Sequence, residues 1–280
     1  MKKYKDYVKK NYVISMKNDI VRQKATVEQF EKIETNFTFY LATPYRELIM
    51  SQGEINGLNK QEKAFYSRVG ANHSHYSVFQ EILKDESILD TDYVAIFEDD
   101  VYFPSSEIFH ITFNLGLEEL QKTNPNFDVL YLGANLPHFI TPQRPIKGRV
   151  INNQIIELQE PFVTCVHAVI YKKSFLRILA SNFYDTLMKC YIIPAEKRII
   201  RPHTWPTKEM IDNFLPWLLF ETKRPILTFY PPIATQKCTT GSYNFANFNG
   251  NVPCGINYEL LKNFNGYKKL KSYKEIWPVW

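Results

Sequence analysis

Cysteine is scarce and widely spaced in this chain. Its four cysteines, Cys165, Cys190, Cys238 and Cys254, show no C-x-x-C spacing and no paired pattern. That argues against a disulfide framework and against a zinc site, and it favours a reducing cytosol. Long apolar runs are also missing: no stretch approaches the ~18 residues of a membrane span. The opening residues, Met1-Lys2-Lys3-Tyr4-Lys5-Asp6, are charged and have no apolar segment behind them, unlike a secretory signal. The expectation is a soluble or peripheral protein. Charge of one sign is not concentrated either. The net charge is +5, with Lys and Arg spread along the chain, so no nucleic-acid partner is expected. Anionic small molecules or an anionic membrane surface fit that excess equally well. Repeats, low-complexity blocks and linkers are absent. With 280 residues, 45% of them hydrophobic, the chain can bury a large core, and a single domain spanning 1–280 is the simplest expectation.

What is present is a pattern of strands alternating with helices. Tyr12–Met16 reads as a strand, the segment through Lys32 as a helix, and Phe37–Ala42 as a second strand, which is the opening of a parallel α/β sheet. A helix is expected from Glu62 to Lys84, weakened in its middle by Gly70. Tyr93–Phe97 is a short apolar run with the make-up of a buried strand. A helix near Ser105–Lys122 follows, capped by Ser105, then a strand over Phe127–Gly133. Short β-like pieces lie at 150–151 and 155–156, an apolar β-rich stretch at 163–171, and a helix begins at Ser174. The proline-rich 193–207 segment reads as a loop, Lys208–Thr222 as a helix, and Ile226–Tyr230 as a strand. From about 240 the chain is Gly-, Asn- and aromatic-rich, a loop-like extension.

The Tyr93–Phe97 run ends in three consecutive carboxylates, Glu98, Asp99 and Asp100. Adjacent acids at the end of a buried strand repel one another and resist desolvation. A divalent cation removes that cost, and hard ions such as Mg²⁺ or Mn²⁺ take carboxylate oxygens together with substrate phosphates. In α/β sheets the carboxyl end of a strand is also where ligands bind. The plain alternative is an acidic turn.

Five segments, in order, resemble glycosyltransferase family 25, the lipooligosaccharide and lipopolysaccharide galactosyltransferases to which collagen galactosyltransferases are related. They are Tyr12-Val13-Ile14-Ser15 with Arg22, Gly70-Ala71-Asn72-His73-Ser74-His75, Ile96-Phe97-Glu98-Asp99-Asp100-Val101, Ile211-Asp212, and Pro232-Ile233-Ala234-Thr235-Gln236. Arg68, Ala71 and Ile211 stand where the family pattern has Glu, Cys and Pro. The resemblance implies a GT-A fold, a nucleotide-sugar-binding α/β fold with a mostly parallel sheet flanked by helices. It also implies a UDP-sugar donor, usually UDP-galactose, a Mn²⁺ or Mg²⁺ ion, and inversion at the anomeric carbon. The acceptor would be an oligosaccharide or lipid-linked glycan, met at the inner face of a bacterial cytoplasmic membrane. UDP-glucose, a UDP-N-acetylhexosamine, or a silent binding protein on the same fold are the alternatives.

Inverting transfer needs charge neutralised on the leaving diphosphate, a proton removed from the acceptor hydroxyl, and alignment of the two. The metal is expected on Asp100, with Glu98 or Asp99 assisting; a structural hydrogen bond to a neighbouring loop is the alternative for Glu98. The resemblance assigns donor binding to Ser15, Arg22, His75, Glu98, Asp99 and Gln236. Asp212 is the candidate base, with Glu209 as its alternative. A helix start is expected to hold the Asp212 pKa down, and a helix-start acid without catalytic role reads equally well from the residues alone. His73 and His75 lie two apart on a helix and so face different ways; the resemblance selects Ser74 and His75. His75 could bond a diphosphate, orient an acid, or be structural. Arg22 suits phosphate or a solvated helix face. Gln236 could bind sugar, diphosphate or metal, or brace a loop. Arg198, Arg201 and His203 could meet an anionic acceptor. The basic, aromatic stretch 267–274, with Trp277 and Trp280, could rest on an anionic membrane surface.

Overall fold

The Tyr93–Phe97 run carries no polar residue to turn toward water, and a strand of that kind must be covered on both faces. In the computed structural model it is. The structure describes residues 3–42, 44, 56–57, 59–134, 148–161, 163, 165–192, 210–230 and 232–236. In chain order these form α1 (Tyr4–Tyr7), β1 (Val8–Met16), α2 (Ile20–Lys32), β2 (Thr38–Ala42), α3 (Lys60–Lys84), β3 (Tyr93–Glu98), β4 (Val101–Tyr102) and α4 (Ser106–Thr123). Then come β5 (Val129–Tyr131), β6 (Gly148–Val150), β7 (Ile155–Leu158), β8 (Ala168–Lys172), α5 (Lys173–Ile192), α6 (Ile211–Glu221), β9 (Ile226–Phe229) and β10 (Thr235–Gln236).

Eight strands make one sheet in the order β2-β1-β3-β8-β5-β9-β7-β6, and β10 pairs with β4 in a second, two-stranded sheet. In the large sheet β2, β1, β3, β5, β9 and β6 run one way, while β8 and β7 run the other. The result is a mixed, mostly parallel α/β sheet, as expected for a GT-A-like fold.

Strand alternation sorts the core into two layers. On one face Tyr12, Ile14, Val94, Ile96, Tyr131 and Tyr171 pack against Phe79 and Ile82 of α3, Leu176 and Phe183 of α5, and Phe214 and Leu218 of α6. On the other, Val13, Ala95, Phe97, Leu130 and Ile170 meet Phe30 of α2 and Phe109, Phe113 and Leu117 of α4. Aromatic edges lock the second layer: Phe30 meets Phe97 and Phe103 nearly perpendicularly, at 5.1 and 5.4 Å between ring centroids.

Most expected elements are present, with shifted ends. β1 starts at Val8, and a register irregularity between Val8 and Lys10 marks its added turn of strand. The expected 127–133 strand keeps its ladder only over Val129–Tyr131, and the 163–171 stretch only over Ala168–Lys172. Gly70 does not break α3. The β4–β10 pairing has no counterpart among the expected strands, being only two residues long on each side. The 193–207 loop and everything after 236 lie outside the described residues. Ser105 caps α4, its Oγ accepting from the Ile108 N–H at 3.3 Å. Ser105→Ala is expected to cost about 1 kcal/mol, read as a lower urea midpoint at unchanged slope.

Candidate functional site

β1 pairs with β2 on one side and β3 on the other, and α2 and α3 leave to opposite faces. A crevice therefore opens at the carboxyl ends of β1 and β3, where strand order reverses. The register sets Ile14 beside Glu98, so Ser15, still paired with Leu41 of β2, stands next to Asp99, the first residue past the end of β3. Ser15 Oγ donates to Asp99 Oδ2 at 2.7 Å. The first turn of α2 then delivers Arg22, whose Nη1 lies 3.0 Å from Asp99 Oδ1 and whose Nη2 lies 2.8 Å from Asp100 Oδ2. Asp19 fixes that turn by accepting from the Arg22 N–H. Thr26 Oγ1 is 2.9 Å from the Asp99 carbonyl oxygen, tying α2 to the acidic turn.

From α3, buried His75 places Nε2 3.3 Å from Glu98 Oε1. An ionised carboxylate only accepts, so Nε2 carries the proton of this contact. From β10, Gln236 Nε2 reaches Glu98 Oε2 at 3.3 Å and Asp100 Oδ1 at 3.5 Å. The two carboxylate oxygens thus converge on one atom. The short β4–β10 ladder, which pairs Gln236 with Val101, sets this geometry. It depends on a close crossing beneath: Ile233 and Ala234 donate to the Leu132 carbonyl at 2.9 and 3.1 Å. A Cβ on Gly133 would lie 1.9 Å from the Ala234 carbonyl oxygen and 2.7 Å from His167 Nε2. Only glycine allows that approach.

The electrostatics follow from burial. Burial pushes Asp100 up to about 7, and the charge of Glu98 adds to this against the pull of Arg22. Burial also raises Asp99, opposed by Arg22 and Ser15. Burial works to raise Glu98 too, but the His75 hydrogen bond and the charges of His75, His167 and Arg22 outweigh it and hold the group below its ordinary value. The triplet is therefore short of positive charge at Asp100, even with Arg22 in place. Among the described residues no group of three His, Cys, Asp or Glu side chains has metal-ligand spacing. Glu98 and Asp100 could still hold a hard cation as a two-carboxylate pair. Mg²⁺ commonly binds through one or two carboxylates and completes its shell with substrate phosphates and water.

Asp212 sits in the first turn of α6, half-buried, and its Oδ1 accepts from the Val166 N–H at 3.2 Å. Cys165, just before, has φ of 72°, a left-handed residue at the bend that presents this amide. The Ile211 N–H bonds Asn72 Oδ1 at 3.0 Å, a bond proline could not make, so α6 is pinned to α3. The expected low pKa for Asp212 is corrected. Burial lifts it to about 6, the charge of Glu98 lifts it further, and His75, the Val166 bond and Arg68 pull the other way without prevailing. Desolvation outweighs the helix N-terminus at this position.

The structure thus gathers Ser15, Arg22, His75, Glu98, Asp99, Asp100 and Gln236 in one contact network, with Asp212 within electrostatic reach of Glu98 and His75. Arg22 meets carboxylates here rather than a solvated surface. His73 is half-buried, its Nδ1 3.4 Å from Ser77 Oγ. Ser74 Oγ bonds the Gly70 carbonyl of its own helix. Thr26 and His167 join the site without being among the residues expected there. His167 is buried, its carbonyl accepts from the Glu98 N–H, and burial lowers its pKa. A hydroxyl inside a helix and a histidine opening a strand carry no sequence signal of such contacts. Glu209, Arg198, Arg201, His203, the 267–274 stretch, Trp277 and Trp280 lie outside the described residues.

A family model described as Glycosyltransferase family 25 (LPS biosynthesis protein) matches residues 8–148. No curated protein matches the chain. The matched stretch holds β1, the α3 histidines and the acidic triplet, while Asp212 and Gln236 lie beyond it and reach the same crevice through the fold. With just over half its length matched, and with that stretch carrying the crevice, the chain belongs to glycosyltransferase family 25.

Proposed function

We propose that this glycosyltransferase is metal-dependent and inverting. It moves a hexose, galactose from UDP-galactose, onto a terminal sugar of a lipooligosaccharide or other cell-surface glycan at the cytoplasmic face of a bacterial membrane. The observation that carries the reading is the convergence of Glu98 Oε2 and Asp100 Oδ1 on one atom at the carboxyl end of β3. The donor sugar, the inversion and the membrane setting rest on the family resemblance. Among the described residues no helix is long and apolar enough to cross a membrane.

In this reading Glu98 and Asp100 hold the cation. A bound Mn²⁺ or Mg²⁺ would offset charge building on the leaving diphosphate. His75 keeps Glu98 ionised and oriented. Ser15 and Thr26 hold Asp99 in the acidic turn. Arg22, with 38% of its side chain exposed, is free to turn its planar fork from the acidic pair to a diphosphate. Gln236 closes the crevice over the triplet. Asp212 accepts the proton of the acceptor hydroxyl, and its pKa near 6 suits a base at neutral pH.

The test is UDP release from a panel of UDP-sugars without an acceptor, water taking the place of the acceptor hydroxyl. Release from one donor with Mn²⁺ and none with excess chelator is expected. Asp100→Asn should lower that release about 10²-fold or more. Equal release with chelator and in Asp100→Asn would overturn the metal reading. Tight UDP binding with no release from any donor would favour the silent binding protein.

A further inference from the structure

Two buried hydroxyls on the sheet face that carries α6 have no role so far. Tyr131 on β5 and Tyr171 on β8 are fully buried, and neither hydroxyl has a hydrogen-bond partner among the described residues. The register pairs Tyr131 with Val169 and Tyr171 with Val129. The two rings therefore rise from one face of adjacent strands, two positions apart. That face carries α6, and Ile211 and Phe214, which flank Asp212, share the same core cluster as both tyrosines. The negative charge of Asp212 reaches both phenols: after burial, it helps push each well above its ordinary pKa.

A buried hydroxyl left unpaired is destabilising, and phenylalanine would fill either position without that cost. A third buried polar atom, His75 Nδ1, is also without a partner among the described residues, and His75 is charge-coupled to Asp212. Two unpartnered hydroxyls on the sheet face that α6 covers call for a small bridging group with several hydrogen-bonding positions. Water is the group that meets two to four polar partners at a buried site.

We propose that Tyr131 and Tyr171 join Asp212 in a buried hydrogen-bond network completed by ordered water, which orients the carboxylate and favours its ionised form. The inference rests on the reading of Asp212 as the base. Both tyrosines act through Asp212, so they are positioning residues. The other groups facing Asp212 are Glu98 from β3, and His75 and Arg68 from α3; Cys165 faces Tyr131 from the segment before β8.

The test compares Tyr131→Phe, Tyr171→Phe and Asp212→Asn for donor turnover against pH, thermal unfolding and a crystal structure of the parent protein. The network predicts that each Phe variant loses about tenfold in kcat with donor KM unchanged. Losing a donor that favours the carboxylate raises its pKa, so the acid limb of the kcat profile should move up by about one pH unit. Ordered water within hydrogen-bond distance of both hydroxyls is expected in the crystal. If the tyrosines only fill space, the Phe variants should be as stable or more stable and should keep both kcat and the acid limb. That result, or no such water, would overturn the inference. Silent Phe variants beside an inactive Asp212→Asn would overturn it alone. Full activity in Asp212→Asn would overturn the reading of the base and this inference with it. Should a Phe variant fail to fold, the crystallographic water decides.

Discussion

Asp212→Asn is expected to lower kcat by about 10²–10⁴-fold, the range for loss of a general base, with little change in donor KM. Asparagine keeps an oxygen for the Val166 N–H, so α6 should stay in place. The wild-type rate should fall as pH drops through about 6, where Asp212 takes up its proton, and the variant's residual rate should lack that limb. Stability should move the other way. A carboxyl whose folded pKa is raised from the ordinary 3.8 to about 6 binds more protons folded than unfolded between those values. Wild-type stability therefore declines as pH rises through that window and stays lower above it. Asparagine carries no such penalty, so the variant should melt higher than wild type at pH 8, with the gap closing near pH 4. Equal kcat in the two proteins would remove Asp212 from the chemistry.

Gly133→Ala should destabilise the fold severely. Its Cβ would stand 1.9 Å from a backbone carbonyl oxygen, and a backbone neighbour cannot rotate away as a side-chain tip can. Overpacking of an ordinary core costs about 1–3 kcal/mol. A backbone collision should exceed that, for a fall in Tm of roughly 5–10 °C. The same methyl pushes on the 232–236 segment, so Gln236 should leave the triplet and donor turnover should drop in molecules that remain folded. Gly57→Ala is the control: a Cβ there meets nothing within 4 Å, and no loss of Tm is expected. Comparable melting of the two variants would show that the Leu132–Ala234 crossing yields easily.

The parts of this site that rest on local pattern are readable from the chain. An apolar run capped by Glu98-Asp99-Asp100 says strand and then acidic turn, and the strand–helix–strand opening says parallel sheet. Ser105 announces the start of α4. Long-range pairing is not readable. Nothing local links Gln236 to Asp100, and their meeting depends on a ladder too short to leave a periodic signal. The Asp212 pKa goes the opposite way from its local pattern because a helix start is visible in sequence whereas burial beside Glu98 is not. Tyr131 and Tyr171 look like ordinary core aromatics until the strand register puts their hydroxyls on one side.

Strand β8 adds a constraint on how the protein comes into being. It is late in sequence, Ala168–Lys172, yet it sits between β3 and β5, and β5 finds its other neighbour in β9. A chain that has left the ribosome only as far as residue 148 would therefore carry the acidic triplet on a strand with one bare side, and β5 with two. Bare strand sides seek other chains, and the exposed interval lasts until the second half is made. The stretch that identifies the family is thus not a unit that can fold alone. A chain truncated near 148 should aggregate, and slowing translation ahead of β8 should raise the newborn protein's dependence on chaperones.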